Sequence, residues 1–402
     1  MRILFVATNL PIPPNSGQSI RSLSILRAFA SSGHEVGFVS FASKTRPENL
    51  DPLPSFCRSI DLLDREMKNL TLQKDYFARL TCLLKFKCYS VERFRSAGMR
   101  ERIQRKLDET KYDLIVCDGI HGLINIPKSA APVLLNCHNV EYVILQRFAQ
   151  LERNPLKRLY ATWESYLLRA AECEGCGRSA AAMTCSQVDL EILQKLQRDL
   201  TLVVIPNVVD THFIQPSASN GIENKGPILF FQGVMDWYPN RDAVEFFIQG
   251  VLPGVRATFP EVRFVIAGRN PPAAFVARFS SDPKIEFTGT VPDIRPYLAS
   301  ATVVVVPLRV AGGTRIKILE ACAAGKPIVS TSVGAEGLDL DPNKEIVLAD
   351  QPGDLARAIV ELLRNPARRE ALSNAARTAV VQRYSPQSLQ KALNDLLSSL
   401  RT

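Results

Sequence analysis

"VPLRVAGGTRIKILEACAAGKPIVS", residues 306–330, carries the pattern that decides the fold. An apolar, β-branched run, "TVVVV" (302–306), stops at Pro307, and Gly312, Gly313 and Thr314 follow it. Ile316, Leu319, Cys322 and Ala323 then recur at helical spacing, and another apolar run begins after Pro327. Buried strand, glycine turn, helix and buried strand make the repeating unit of a parallel α/β sheet.

The same alternation runs in both directions. Upstream of it, "RILFVAT", "EVGFVSF", "DLIVC", "PVLLNC", "AAMTC" and "TLVVIP" read as strands, with helices starting near Ser16, Thr71, Val91, Glu141, Leu156 and Gln187. A second series, "ILFFQ", "VRFVIAG", "KIEFTG", "ATVVVVP", "PIVST" and "EIVLA", begins after a Ser-, Asn-, Gly- and Pro-rich stretch over 216–227 that reads as a linker. The expected architecture is α/β, with two doubly wound Rossmann-like domains over 1–215 and 227–384. A helix over 385–402 is long enough to cross back onto the first domain. Doubly wound sheets bind ligands beyond the carboxyl ends of their strands, so two such domains facing one another suggest a cleft.

Composition narrows the function classes. The chain has 402 residues, 46% hydrophobic and 22% charged, enough to bury two cores. No apolar run reaches the length of a membrane span, and "MRILFVATN" turns polar too early for a signal peptide, so a cytoplasmic location is expected. Nine cysteines sit in apolar runs and read as reduced thiols. Cys173 and Cys176 have half of a zinc spacing but no completing pair, so no metal site is expected. The net charge of +9 points to an anionic partner. Much of the excess lies between Arg65 and Lys106, where Lys85, Lys87, Arg93 and Arg95 alternate with Phe77, Leu80, Leu84 and Phe86. That mixture suits peripheral contact with an anionic membrane or an ordinary solvated pair of helices. No nucleic-acid recognition motif accompanies it, so nucleic acid is not expected as a partner.

The glycine turn carries the first chemistry. Backbone N–H groups at a helix start lack internal partners, and a pair of glycines lets a phosphate reach them. Arg315 offers a forked cation and Lys317 a point charge, which together suit a diphosphate. Glu320 has two readings: an i, i+3 surface pair with Lys317, or a carboxylate accepting from two adjacent ribose hydroxyls.

"VVVVPLRVAGGTRIKILEACAAGKPIVSTSVGAEGL", with "FFQGVMDWYPNRDAVEFF" and "VIPNVVDTHF", resembles the C-terminal domain of family-4 retaining glycosyltransferases. "PPNSGQSIRS", "CDGIH", "CHNVEY" and "TCSQVD" extend the resemblance through the N-terminal half, most closely to sugar transferases of bacterial exopolysaccharide systems. The resemblance implies the two-domain GT-B fold and a nucleotide-diphosphate sugar, UDP- or GDP-linked, as donor. It also implies a saccharide or lipid-linked acceptor, retention of configuration, and neither metal nor other cofactor.

Residue by residue, the resemblance implies that Glu320 binds ribose and that Gly17, with Arg21 behind it, approaches the diphosphate. Gly233, Gly313, Thr314, Arg315 and Lys317 are expected around the same donor. Val291 lies where backbone reads the base, and His138 contacts the transferring sugar near the reacting centre. Asp118, Asn139 and Glu141, polar groups near strand ends, either serve the acceptor or cap helices.

Two departures from the family pattern stand out. Gly312 occupies the place of the first motif glutamate, and Val234 and Asn240 replace the usual Arg and Lys on the diphosphate. Arg315 and Lys317 are therefore expected to supply the phosphate charge, with Arg241 or Arg269 in reserve. A nicotinamide-dependent dehydrogenase is disfavoured because no G-x-G-x-x-G follows a strand. A transferase acting on a soluble natural product, a sugar-nucleotide epimerase, a phosphorylase and a non-catalytic binding protein remain alternatives on the same fold.

Overall fold

The computed structural model describes residues 1–42, 50–64, 72–129, 131–217 and 226–400, with the side chains of 72–74 left aside. Arg65, Lys68 and most of the expected 216–227 linker lie outside the described residues. The chain forms two units, Met1–Pro206 with Leu389–Thr402, and Asn207–Ser388.

The first unit holds β1 (Arg2–Ala7), β2 (Glu35–Ala42), β3 (Ser59–Asp64), β4 (Leu114–Asp118), β5 (Val133–Asn136), β6 (Ala181–Thr184) and β7 (Thr201–Val204). They form one parallel sheet in the order β3-β2-β1-β4-β5-β6-β7. The order reverses between β1 and β4, which opens a crevice at their carboxyl ends. Six of these strands match the apolar runs. The exception, β3, is an edge strand of half-buried residues broken by Asp61 and Asp64, so it lacks the continuous apolar signal of a strand covered on both faces.

Local chemistry explains where the flanking helices begin. Ser16 caps helix Gly17–Ser31 by accepting from Ser19 N, and Asn154 caps helix Pro155–Gly177 with Pro155 at the first helical position. The chain's last helix, Pro386–Ser399, buries Leu389, Leu393, Leu396 and Leu397. Its Asn394 accepts from Ser32 Oγ at 2.9 Å, and Gln390 donates to the same oxygen at 3.3 Å.

The second unit holds β8 (Ile228–Gln232), β9 (Arg263–Ala267), β10 (Ile285–Gly289), β11 (Val303–Val306), β12 (Ile328–Ser330) and β13 (Val347–Leu348). Its parallel order is β10-β9-β8-β11-β12-β13, with the reversal between β8 and β11. Residues 207–215, expected to end the first domain, belong instead with the second. Val209 and Ile214 enter its core beside Leu229 and Val304, and Val209 N donates to Tyr384 O at 3.0 Å.

Candidate active site

In the second unit the polar residues gather at the carboxyl ends of β8 and β11, where the strand order reverses. The loop after β11 brings Gly312, Gly313 and Thr314 to the start of helix Ile316–Ala323. Gly313 has φ 66°, a left-handed conformation that a side chain would strain. Thr314 Oγ1 accepts from Asn207 Nδ2 at 2.7 Å.

Arg315 differs from expectation. It is the N-cap residue, in extended conformation, and its guanidinium is buried. Nη1 donates to Gly312 O at 2.5 Å, Nη2 donates to Gly313 O, and Glu336 O lies 3.4 Å from Nη2. The forked donors expected to face a diphosphate thus hold the glycine loop itself. An extended N-cap residue can turn its side chain back over the preceding loop, whereas a residue one turn into the helix would project it outward.

Lys317 and Glu320 do not form the i, i+3 surface pair. Lys317 Nζ donates to Asn240 Oδ1 at 2.9 Å and lies 4.2 Å from the centroid of the Phe231 ring. Glu320 Oε2 accepts from Gln232 Nε2 at the end of β8. Desolvation pushes the lysine down to about 7, helped by the Arg315 charge and opposed by Glu320. The same desolvation pushes the Glu320 carboxyl up to about 7, against the Gln232 hydrogen bond and the Lys317 charge. A cation and a carboxyl are therefore poised at neutral pH beside a glycine-lined helix start.

The loop after β8 completes this wall. A Cβ on Gly233 would come within 2.7 Å of the Asn240 amide, so the position requires glycine for close packing. Asn240 Nδ2 donates to Val234 O at 2.9 Å, which leaves Oδ1 turned to Lys317. Lys317 therefore brings an ammonium to the residue position where the family resemblance expects a lysine. Arg241 Nη1 is bonded to Met235 O at 2.8 Å. Val291 follows β10, two strands away from β8 in the sheet.

In the first unit, His138 follows β5 and its Nε2 lies 2.9 Å from Asp118 Oδ1 at the end of β4. Asp118 is buried and also accepts from Ser22 Oγ and from Asn136 Nδ2, each at 2.6 Å. Burial alone would raise its pKa; the His138 charge and these three hydrogen bonds outweigh burial and hold it below the ordinary carboxylate range. Asp118 thus orients the histidine ring. Asp118 itself, expected to serve the acceptor or to cap a helix, is buried behind the histidine.

Arg21 joins the same network. It is buried, donating from Nε to Asn136 Oδ1 at 2.9 Å and from Nη1 to Ile205 O at 2.6 Å. The arginine expected near the diphosphate is thereby turned into the polar interior of the first unit. Gly17 is exposed at the start of helix Gly17–Ser31, which follows β1.

His138 opens onto a small pocket with Gly119, Cys137, Asn139, Glu141 and Glu172. Its Nδ1 is buried without a hydrogen-bond partner among the described residues. Asn139 Nδ2 donates to Glu141 Oε1 at 3.0 Å. Glu172 was not foreseen from sequence: it accepts from Glu141 N at 2.9 Å and Tyr142 N at 3.1 Å, capping helix Glu141–Leu151 from another helix. Burial, with the nearby Glu141 charge, pushes its carboxyl up to about 8 despite those two N–H donors.

Comparison with known proteins places this architecture. A family model described as glycosyl transferases group 1 matches residues 226–365, and one described as glycosyltransferase family 4 matches residues 15–213. The chain belongs to the family-4 glycosyltransferases. Sucrose-phosphate synthase from Thermosynechococcus elongatus shares the glycosyltransferase's two-sheet fold, with 18% identity, a TM-score of 0.76 and coverage of 100% of this chain and 99% of that one. HepE from Anabaena, solved with UDP-glucose, shares it at 15% identity and a TM-score of 0.69, covering 99% and 100%. An uncharacterized 44.6 kDa protein of the cps region of Klebsiella pneumoniae is 20% identical over 387 residues, 90% of this glycosyltransferase and 91% of the relative.

Proposed function

We propose that the chain transfers a hexose from a UDP- or GDP-linked sugar to a saccharide or lipid-linked acceptor, with retention of configuration. The setting we infer is the synthesis of a surface polysaccharide, supported by the cps-region relative. One observation carries the donor reading. The glycine loop, the Lys317 ammonium and the Glu320 carboxyl converge where the second sheet reverses its strand order.

On this reading, N–H groups at the start of helix Ile316–Ala323 and the Lys317 ammonium receive the diphosphate. Arg315 keeps the loop shaped from behind. Glu320 exchanges its Gln232 contact for ribose hydroxyls. As the glycosidic bond breaks, the departing phosphate oxygen takes the acceptor's proton on the same face of the sugar. Positive charge already in place stabilises the developing anion without a general base. His138, held by Asp118, is the residue this reading assigns as a contact for the transferring sugar. Fixed cationic charge supplies what a divalent ion would, so the reading assigns no metal.

Turnover of UDP- and GDP-hexoses with a saccharide acceptor, followed by NMR of the product anomer in chelator, tests each part. An α-linked product from an α-linked donor, formed at an unchanged rate in chelator, is expected. An inverted product would sink retention. Product formed without acceptor would indicate an epimerase, and a requirement for free phosphate a phosphorylase. A nucleotide that binds without turnover would support the binding-protein reading, which Gly312 in the place of the motif glutamate favours.

A further inference from the structure

The first unit carries an exposed apolar surface built from two helices far apart in sequence. Helix Leu72–Leu84 and the turn after it expose Tyr76, Phe77, Leu80, Leu84 and Phe86. Helix Pro155–Gly177 exposes Leu156, Leu159 and Tyr166, with Leu156 at 77% and Phe77 at 74%. Phe86 meets Trp163 edge-on at 5.7 Å, Trp163 stacks on Tyr166 at 6.1 Å, and Arg79 donates to Tyr160 Oη at 3.5 Å. The two helices are therefore joined by a seam of aromatic rings. Phe86 has φ 52°, a conformation costly for a bulky side chain, yet its ring stays 71% exposed.

Charge decides what this surface fits. Within 65–106 most described cations are already engaged. Arg102 and Lys106 pair with Asp61, Arg95 and Lys87 with Glu92, and Arg79 with Asp75. Around the seam the balance differs. Lys85, Arg153, Lys157, Arg158 and Arg169 are exposed, and among the described residues none of them pairs with a carboxylate. Both glutamates nearest the seam along helix Pro155–Gly177, Glu164 and Glu172, are buried. A second copy of the same basic surface would be repelled, whereas anionic headgroups would be attracted and the rings and leucines could enter the acyl boundary.

We propose that this two-helix surface binds an anionic lipid bilayer, with Leu156, Leu159, Phe77 and Phe86 inserted and the unpaired lysines and arginines on the headgroups. The sequence places the contact within 65–106; the structure adds free charge on and just before helix Pro155–Gly177. The proposal is independent of donor chemistry, so its failure leaves the transferase reading standing.

Cosedimentation of the intact chain with phosphatidylcholine vesicles, with and without phosphatidylglycerol, tests it. Binding is expected only with phosphatidylglycerol and is expected to fall at high salt. Lys157→Glu with Arg158→Glu should weaken partition roughly 25-fold or more, since each cation contributes about fivefold. Leu156→Ser with Leu159→Ser should weaken it while leaving the unfolding transition in place, because both side chains are exposed. Absence of binding at low salt, equal binding to neutral vesicles, or full binding by both double variants would each overturn it. So would light scattering that shows a dimer dissolved by the leucine substitutions, because a second copy would then be the occupant.

Discussion

Replacing Lys317 with methionine gives the most demanding test of the donor site. The ammonium lies 2.9 Å from Asn240 Oδ1 and 4.2 Å from the Phe231 ring centroid, and burial has moved its pKa down to about 7. A charge-assisted hydrogen bond contributes about 1.5–3 kcal/mol, so at pH 6.5 the variant should bind UDP or GDP roughly 10- to 150-fold more weakly. The sign of the pH dependence follows from the lowered pKa. Near pH 7 the free site carries about half a proton on the lysine, and a bound diphosphate restores the rest. Above pH 7 each binding event must take up that proton. Wild-type affinity should therefore fall relative to the variant's by up to about tenfold per pH unit, and the two curves should converge near pH 9. Calorimetric titration in two buffers of different ionisation enthalpy measures both affinity and proton uptake. The ligand-free variant should also melt higher, because methionine fills the same volume without a desolvated charge. Parallel pH profiles, with no difference in proton uptake, would refute the assignment of Lys317 to the diphosphate.

Three other substitutions probe the surroundings. Arg315→Lys cannot reproduce the fork on Gly312 O and Gly313 O, so denaturant unfolding should show a loss of about 2–3 kcal/mol, partly recovered with saturating nucleotide; unchanged stability would show that the loop does not need the clamp. Glu172, with its pKa raised to about 8, binds a proton in the native state between roughly pH 4.5 and 8 that the unfolded chain has released, so its contribution is complete at low pH and is lost as pH rises through 8. Glu172→Gln should flatten that part of the stability profile by up to about 5 kcal/mol, and an identical slope in the variant would contradict the buried, protonated carboxyl. Asp118→Asn turns an amide donor toward one of three existing donors, so it should cost about 1–3 kcal/mol in stability and lower turnover at least about tenfold. Nucleotide affinity should not change, and a loss of affinity without a loss of turnover would exclude the positioning role.

Most of the strands were legible because they are buried on both faces and so appear as unbroken apolar runs. The strand at Ser59–Asp64 was not, since an edge strand tolerates Asp61 and Asp64, and the cations paired with Asp61 come from a helix about forty residues later. The glycine turn could be read from spacing within one βα unit, whereas spacing left Glu320 between a surface pair with Lys317 and a ribose contact, and its bond to Gln232 was not foreseen. Gln232, Asn136, Ser22 and Glu172 could not, because each is a lone polar residue that acquires meaning only from a partner on another element. For Arg315 residue type was informative but direction was not. An arginine before a helix can reach a ligand or turn back on its own loop, and the backbone dihedral at the cap decides between them.

The second unit leaves the first after Pro206 and hands the chain back at Leu389, and the hydrogen bond from Val209 to Tyr384 brings its own entry and exit to one corner. A segment whose two ends are so joined behaves topologically like a cassette inserted into a host. Cut out as 207–388, it would lose no strand of its sheet and would start and finish at neighbouring points. The host, resealed by a short bridge, would keep the part of its closing helix from Leu389 onward. If the second unit holds the donor as proposed, donor choice would then travel between homologues with this single cassette, the rest of the chain keeping its original sequence.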